Sequence, residues 1–166
     1  MTDRVLIVED EILIALDLSH TLQSMGLEVV AVAADSATAR AAAAERAGEI
    51  ELALVDLNLR DGPSGPSLGR ELASRWGITV VHLTANPRQA PIGVEGPVGI
   101  LPKPYTEQAL KQTVEFALAM RAGKPGPVPS DLRILPRLAE ASLAEGGATA
   151  TQRPRGDAHF HLQAVR

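Results

Sequence analysis

Residues 52–56 read Leu-Ala-Leu-Val-Asp, four apolar side chains in unbroken succession followed by a carboxylate. An alternating apolar and polar pattern would mark a strand with one wet face. An uninterrupted run this short predicts instead a strand covered on both faces, as in a parallel sheet. The same design recurs outward along the chain. Upstream lie Val5–Val8, which runs into Glu9-Asp10-Glu11, and Glu28–Ala33; downstream lie Ile78–Leu83, which runs into Thr84, and Pro97–Leu101, which runs into Lys103 and Pro104. The stretches between are longer and rich in Ala and Leu. Helices are predicted over 11–25, 36–47, 66–76 and 106–121, with Asp35 or Ser36 and Thr106 as N-caps and Gly26, Gly48 and Gly77 at the C-terminal ends. Residues 86–98 carry three prolines and two glycines, so the helix expected there is short or irregular. Five strands alternating with helices predict an α/β fold, a doubly wound parallel sheet with helices on both faces.

Composition narrows the range of functions. The 166 residues carry a net charge of -4, which offers no general attraction to nucleic acid or to an anionic membrane. With no cysteine, disulfides, thiol catalysis and cysteine-held metals are excluded. The apolar run near the N-terminus is too short for a signal peptide and is followed by acids, and no stretch is long enough to span a bilayer, so a cytoplasmic protein is expected. From Gly123 to Ser130 the chain reads G-K-P-G-P-V-P-S, which cannot continue a helix. The expectation is a domain over 1–122 and a mostly disordered tail over 123–166, with a short helix at 131–145.

In an open parallel sheet, ligands bind beyond the carboxyl ends of the strands. Glu9, Asp10, Asp56, Thr84 and Lys103 all fall at such ends. Any one of them alone is an ordinary turn or capping residue, but together they gather carboxylates, a hydroxyl and an ammonium on one edge. Carboxylates suit Mg²⁺, which takes oxygen ligands and keeps several waters. A carboxylate can also attack phosphorus, with Lys103 and the metal neutralising the phosphoryl oxygens.

The motifs V-L-I-V-E-D-E, L-V-D-L-N-L, V-H-L-T-A-N and I-L-P-K-P-Y resemble the receiver domain of two-component response regulators over roughly residues 3–121. The resemblance implies a flavodoxin-like sheet of order 2-1-3-4-5. It also implies that Asp56 is the phosphoacceptor and that Glu9, Asp10, Asp56 and the Asn58 backbone carbonyl serve Mg²⁺. Thr84, the Ala85 backbone and Lys103 match the phosphate-binding and switch positions, and Lys103-Pro104 the peptide that is usually cis. Ile100 stands where the family carries an aromatic switch residue, a departure that puts the usual ring relay in doubt. The partner implied is a histidine kinase or phosphotransfer protein, with an unidentified protein target downstream and no nucleic acid or membrane.

On the first helix, Ile14, Leu18, Leu22 and Met25 form a core stripe. Ile12, Leu13 and Leu16 are then the candidates for partner docking. The overall expectation is a stand-alone signalling switch whose only chemistry is phosphoryl transfer to its own aspartate and slow autodephosphorylation. The alternative is a haloacid-dehalogenase-like phosphatase, which would want an aspartate where Asn58 stands. A flavodoxin would want hydroxyls where the chain puts Glu9 and Asp10.

Overall fold

The computed structural model describes residues 1–89, 96–124 and 126–135. In chain order the elements are β1 (Arg4–Val8), α1 (Ile12–Ser24), β2 (Glu28–Ala33), α2 (Ser36–Glu45), β3 (Leu52–Asp56), α3 (Gly65–Trp76) and β4 (Thr79–Thr84). A single 3-10 turn (Pro87–Gln89), β5 (Gly99–Pro102), α4 (Glu107–Arg121) and β6 (Arg133–Ile134) follow. The sheet order is β2-β1-β3-β4-β5-β6. The first five strands pair in parallel, as expected of a doubly wound α/β fold.

Strand periodicity divides the core in two. Successive side chains of a strand point to opposite faces, so Val5, Ile7, Leu52 and Leu54 pack against α1 and α4, while Leu6, Val8, Ala53 and Val55 pack against α2 and α3. This is why Val5–Val8 of β1 and Leu52–Val55 of β3 are apolar at every position. Leu18 and Leu22 of the α1 stripe are fully buried and Ile14 and Met25 partly so. The predicted caps form: Asp35 accepts from the Thr38 amide, Thr106 accepts from the Ala109 amide, and Gly77 closes α3 in the left-handed region at φ 65°.

Two expectations need correction. The sheet has a sixth strand, with β6 antiparallel to β5, so the order extends beyond 2-1-3-4-5. The helix expected to start at 131 does not do so: Ser130 and Asp131 form a turn and Arg133–Ile134 are extended. The leucine spacing of this segment reads equally as a helix or as a buried strand end, and Leu135 precedes Pro136, whose ring disfavours the helical region for the residue before it. The rest of that expected helix, 136–145, lies outside the described residues, as do 90–95 between β4 and β5.

One buried polar side chain stands apart from the sheet edge. His82 is fully buried on β4, its Nδ1 lies 3.3 Å from the Val55 carbonyl oxygen, and its Nε2 has no partner among the described residues. Nδ1–H therefore donates to Val55, and a proton added to Nε2 would be buried without an acceptor. Burial pushes the imidazole pKa down to about 4, against a partial upward pull from the Val55 hydrogen bond.

The consequence is a stability that depends on acid. Below pH ~6.5 the unfolded chain takes up a proton that the native state refuses, so stability is lost progressively as pH falls toward about 4 and then levels off. Chemical denaturation at pH 7 and pH 4.5 should show a loss about 2–3 kcal/mol smaller in His82→Leu than in the wild type. Parallel pH profiles for the two proteins would show that His82 is not the group responsible.

Candidate functional site

Each side chain at the site is delivered by the end of a buried strand. Glu9 follows β1, and its amide donates to the Ala33 carbonyl at 2.8 Å, tying the turn to the end of β2. Asp56 ends β3, paired with Leu83 of β4. Lys103 follows β5, and its amide donates to the Thr84 carbonyl at 2.7 Å. β1 and β3 are neighbours and β5 lies one strand further on, across β4, so three positions far apart in sequence converge on one edge of the sheet.

The convergence is tight. Lys103 Nζ donates to Asp56 Oδ2 at 2.6 Å and to Glu9 Oε2 at 2.8 Å. The remaining carboxylate oxygens are also engaged: Asp56 Oδ1 accepts from the Asn58 amide at 2.9 Å, and Glu9 Oε1 from the Glu11 amide at 3.1 Å. The Glu9 side chain is fully buried, and those of Asp56 and Lys103 are 10% and 14% exposed. Burial raises the Glu9 pKa, and the Lys103 ammonium beside it only partly reverses this. Burial also works against charge on Lys103, but its hydrogen bonds to Asp56 and Glu9 prevail and hold its pKa above the ordinary lysine value.

The other predicted positions surround this centre. Thr84 is fully buried, and its Oγ1 accepts from the Asn86 amide at 3.0 Å, which leaves Ala85 exposed at the apex of a small turn. The Lys103–Pro104 peptide is cis. Ile100 is buried in β5 between His82 and Arg133. Asp10 is exposed and is not drawn into the Lys103 cluster. Ile12, Leu13 and Leu16 are 73%, 77% and 61% exposed, a run of apolar surface on α1. Leu13 reaches the rim of a depression shared with Ala85, Lys103 and Tyr105.

Among the described residues, no three acidic or histidine side chains close on one point as a finished metal centre. What the site offers is an incomplete set of hard oxygen donors: two buried carboxylates, a third carboxylate one residue away at Asp10, and the main chain at Asn58. Such a set fits Mg²⁺, which keeps part of its water shell, better than a metal that demands a closed cage.

Sequence reading alone missed how the loop after Asp56 is held. Asp61 accepts hydrogen bonds from the Ser36 amide at 3.2 Å, from the Ser36 hydroxyl, and from the Ser64 hydroxyl at 2.6 Å. These bonds hold its pKa down at about 2. Arg40 continues the tie, donating to Ser36 Oγ at 2.9 Å and pairing with Glu71 of α3 at 2.7 Å. Gly65 is the second missed residue, because a Cβ there would overlap the Asp56 carbonyl oxygen. The G-P-S-G run signalled a turn; that it lies directly behind Asp56 is a tertiary fact.

With this geometry in place, comparison with known proteins is informative. The family model for the response regulator receiver domain matches residues 5–115. The phyllosphere-induced regulator PhyR of Methylorubrum extorquens is 32% identical over 121 residues, covering 71% of this chain and 44% of that protein. The chain thus spans less than half the length of this curated relative. The solution structure of the PhyR receiver domain from Erythrobacter litoralis is 28% identical with a TM-score of 0.61, covering 76% of this chain and 95% of that one. A crystal structure of a mutant of the anti-anti-sigma factor PhyR from Bartonella quintana is 26% identical with a TM-score of 0.64, covering 74% and 51%.

The electrostatics of the centre predict a trade between stability and chemistry. Because burial outweighs the ion pair at Glu9, its charge costs stability at neutral pH. Glu9→Gln keeps an oxygen for Lys103 and removes that charge, so its urea midpoint at pH 7 should equal or exceed that of the wild type. A loss larger than about 1 kcal/mol would show that the ionised pair is net stabilising.

Proposed function

The chain belongs to the response regulator receiver domain family, and from that premise we propose that it is a phosphorylatable switch that takes a phosphoryl group onto Asp56. The observation that supports this most directly is the Lys103 ammonium held against both Asp56 and Glu9. It supplies a fixed positive charge where phosphoryl oxygens would arrive, and positioning with charge neutralisation is most of what phosphoryl transfer asks of a protein.

In the proposed reaction an Asp56 carboxylate oxygen attacks phosphorus in the phosphohistidine of a histidine kinase or phosphotransfer protein. The phosphorus–nitrogen bond breaks, imidazole leaves, and an acyl phosphate forms. Lys103 turns its hydrogen bonds toward the phosphoryl oxygens, and the Thr84 hydroxyl and Ala85 amide donate to them from the next strand end. Glu9, Asp10, Asp56 and the Asn58 carbonyl would hold Mg²⁺, which supplies the remaining neutralisation of charge.

Receiver domains are signalling modules rather than enzymes with turnover, and they act through protein contacts. The phosphatase alternative gains no support: the family is a receiver, and the amide at Asn58 cannot serve as a general acid or base. The Erythrobacter receiver domain is covered almost completely whereas about half of the Bartonella protein is, so the likeness is to a receiver portion. Anti-anti-sigma activity is therefore not carried over to this chain. We assign the receiver to residues 1–122 and an appended segment to 123–166, in the cytoplasm. The exposed Ile12, Leu13 and Leu16 on α1, bordering the depression beside Lys103, form the surface on which a phosphodonor protein would dock.

Acetyl phosphate with Mg²⁺ should add one phosphoryl group to the wild type by mass spectrometry and none to Asp56→Asn. Full labelling of the variant would sink the assignment of the acceptor. Titration of Mg²⁺ should show weaker binding to Asp10→Ala, since a charged ligand or its support is lost; unchanged affinity would remove Asp10 from the site.

For the docking surface, Leu16→Glu should leave thermal unfolding nearly unchanged while slowing transfer from a phosphodonor protein about tenfold or more. Labelling by acetyl phosphate, which needs no docking, should stay at the wild-type rate. Equal slowing with both donors would place the defect in the acceptor site instead.

A further inference from the structure

The loop that leaves Asp56 doubles back on itself before α3 begins. The Leu59 amide donates to the Gly62 carbonyl at 2.9 Å, and the Gly62 amide donates to the Leu59 carbonyl at 2.9 Å. This reciprocal pair closes a turn with Arg60 and Asp61 at its tip. Gly62 takes φ 100°, a region closed to most side chains, and its carbonyl also accepts from the Ser64 amide at 2.8 Å. The Leu59 side chain is anchored in the core cluster under α2 and α3. The exposed tip is fastened from outside by the Asp61 carboxylate, which accepts from the amide and hydroxyl of Ser36 and from the hydroxyl of Ser64.

The peptide unit that joins Asn58 to Leu59 is planar and trans, so its N–H and C=O point in opposite directions. The hydrogen bond from the Leu59 N–H to Gly62 therefore also sets the direction of the Asn58 carbonyl. On the other side, the Asn58 amide is held by Asp56 Oδ1 at 2.9 Å and the Leu57 carbonyl by the Gly65 amide at 3.2 Å. Building on the reading of this centre as a Mg²⁺ site, we propose that Asp61 is a positioning residue for its main-chain ligand. By fastening the 59–62 turn to Ser36 and Ser64, the Asp61 carboxylate holds the Asn58 carbonyl in a fixed direction before any cation arrives.

The physical need for such a fastening is plain. Mg²⁺ tolerates little departure from octahedral geometry, so a ligand that has to be ordered on binding costs affinity. A solvent-exposed turn closed by two main-chain bonds opens locally at low cost. Hydrogen bonds to a carboxylate are among the stronger ones, and those of Asp61 reach a rigid frame. Ser36 is the first residue of α2, whose early amides have no partner within the helix, and α2 is seated in the core by Ala39 and Ala43. Arg40 braces Ser36 from one helical turn further on, at 2.9 Å.

The test is a Mg²⁺ titration of the full chain, followed by its amide resonances. Loss of a group that orients a metal ligand typically weakens binding about 10–100-fold, and Asp61→Ala should weaken it about tenfold. Asp61→Asn keeps an oxygen for the Ser36 amide and removes only an exposed charge, so its affinity should stay within about threefold of the wild type. In metal-free protein, hydrogen exchange at the Leu59 amide should be about tenfold faster in Asp61→Ala. Labelling of that variant by acetyl phosphate should be slow at limiting Mg²⁺ and recover at saturating Mg²⁺. Unchanged affinity, unaltered exchange at Leu59, labelling that stays slow at saturating Mg²⁺, or equal losses in the Ala and Asn variants would each overturn the positioning role; the last would assign the effect to charge alone. A wild type that binds no Mg²⁺ would overturn the metal reading itself, and this role with it. Should Asp61→Ala fail to fold, Ser64→Ala, which removes one partner of the carboxylate and no charge, should weaken Mg²⁺ binding about threefold, and unchanged affinity there would overturn the proposal.

Discussion

The ammonium of Lys103, buried between the carboxylates of Asp56 and Glu9, is the constraint around which the carboxyl edge of the sheet is organised. It joins the ends of β5, β3 and β1, which share no local sequence. Two carboxylates this close cannot both be taken from water unless a cation compensates them. The arrangement carries a cost, visible in the raised pKa of Glu9. A chain selected for stability alone would have no reason to keep a buried glutamate there, and groups held in an unfavourable electrostatic state are characteristic of sites with chemistry to perform.

The surrounding structure holds this charge cluster in register. Full burial of β1 and β3 on both faces leaves their ends no freedom to slide, because a shift of one residue would exchange the two core faces at every position. The loop after Asp56 is held separately by Asp61, whose carboxylate ties the start of α2 to the entry of α3. Gly65 lets that entry pass directly behind Asp56. Position along the sheet is thus fixed by packing, and position across the edge by hydrogen bonds.

The two outer strands are treated differently. β2 closes one side with half-exposed residues and, among the described residues, pairs only with β1. β5 is apolar up to its end and is covered by a short antiparallel strand contributed from beyond α4. Unpaired edges invite association with other chains, and covering one with a returning segment of the same chain protects it. In this way the same strand serves the acidic centre at one end and seats the returning chain along its side.

Local sequence was sufficient for the alternation of strands and helices, the capping residues, and the set Glu9, Asp56, Thr84 and Lys103, because strand periodicity, glycine and proline placement, and the position of a polar residue after an apolar run are short-range signals. What depended on distant chain segments needed the tertiary structure. The leucine spacing at 132–135 fits a helix or a strand, and only the free edge of β5 and the absence of a Cβ at Gly99 select the strand. Nothing near Asp61 in the sequence announces Ser36, twenty-five residues upstream, as its partner. His82 reads as one more residue of an apolar strand, and its unpartnered nitrogen becomes evident only once α3 covers it. Short-range patterns record what each segment prefers alone, whereas a long-range contact is settled by the competition of all segments for the same buried surface.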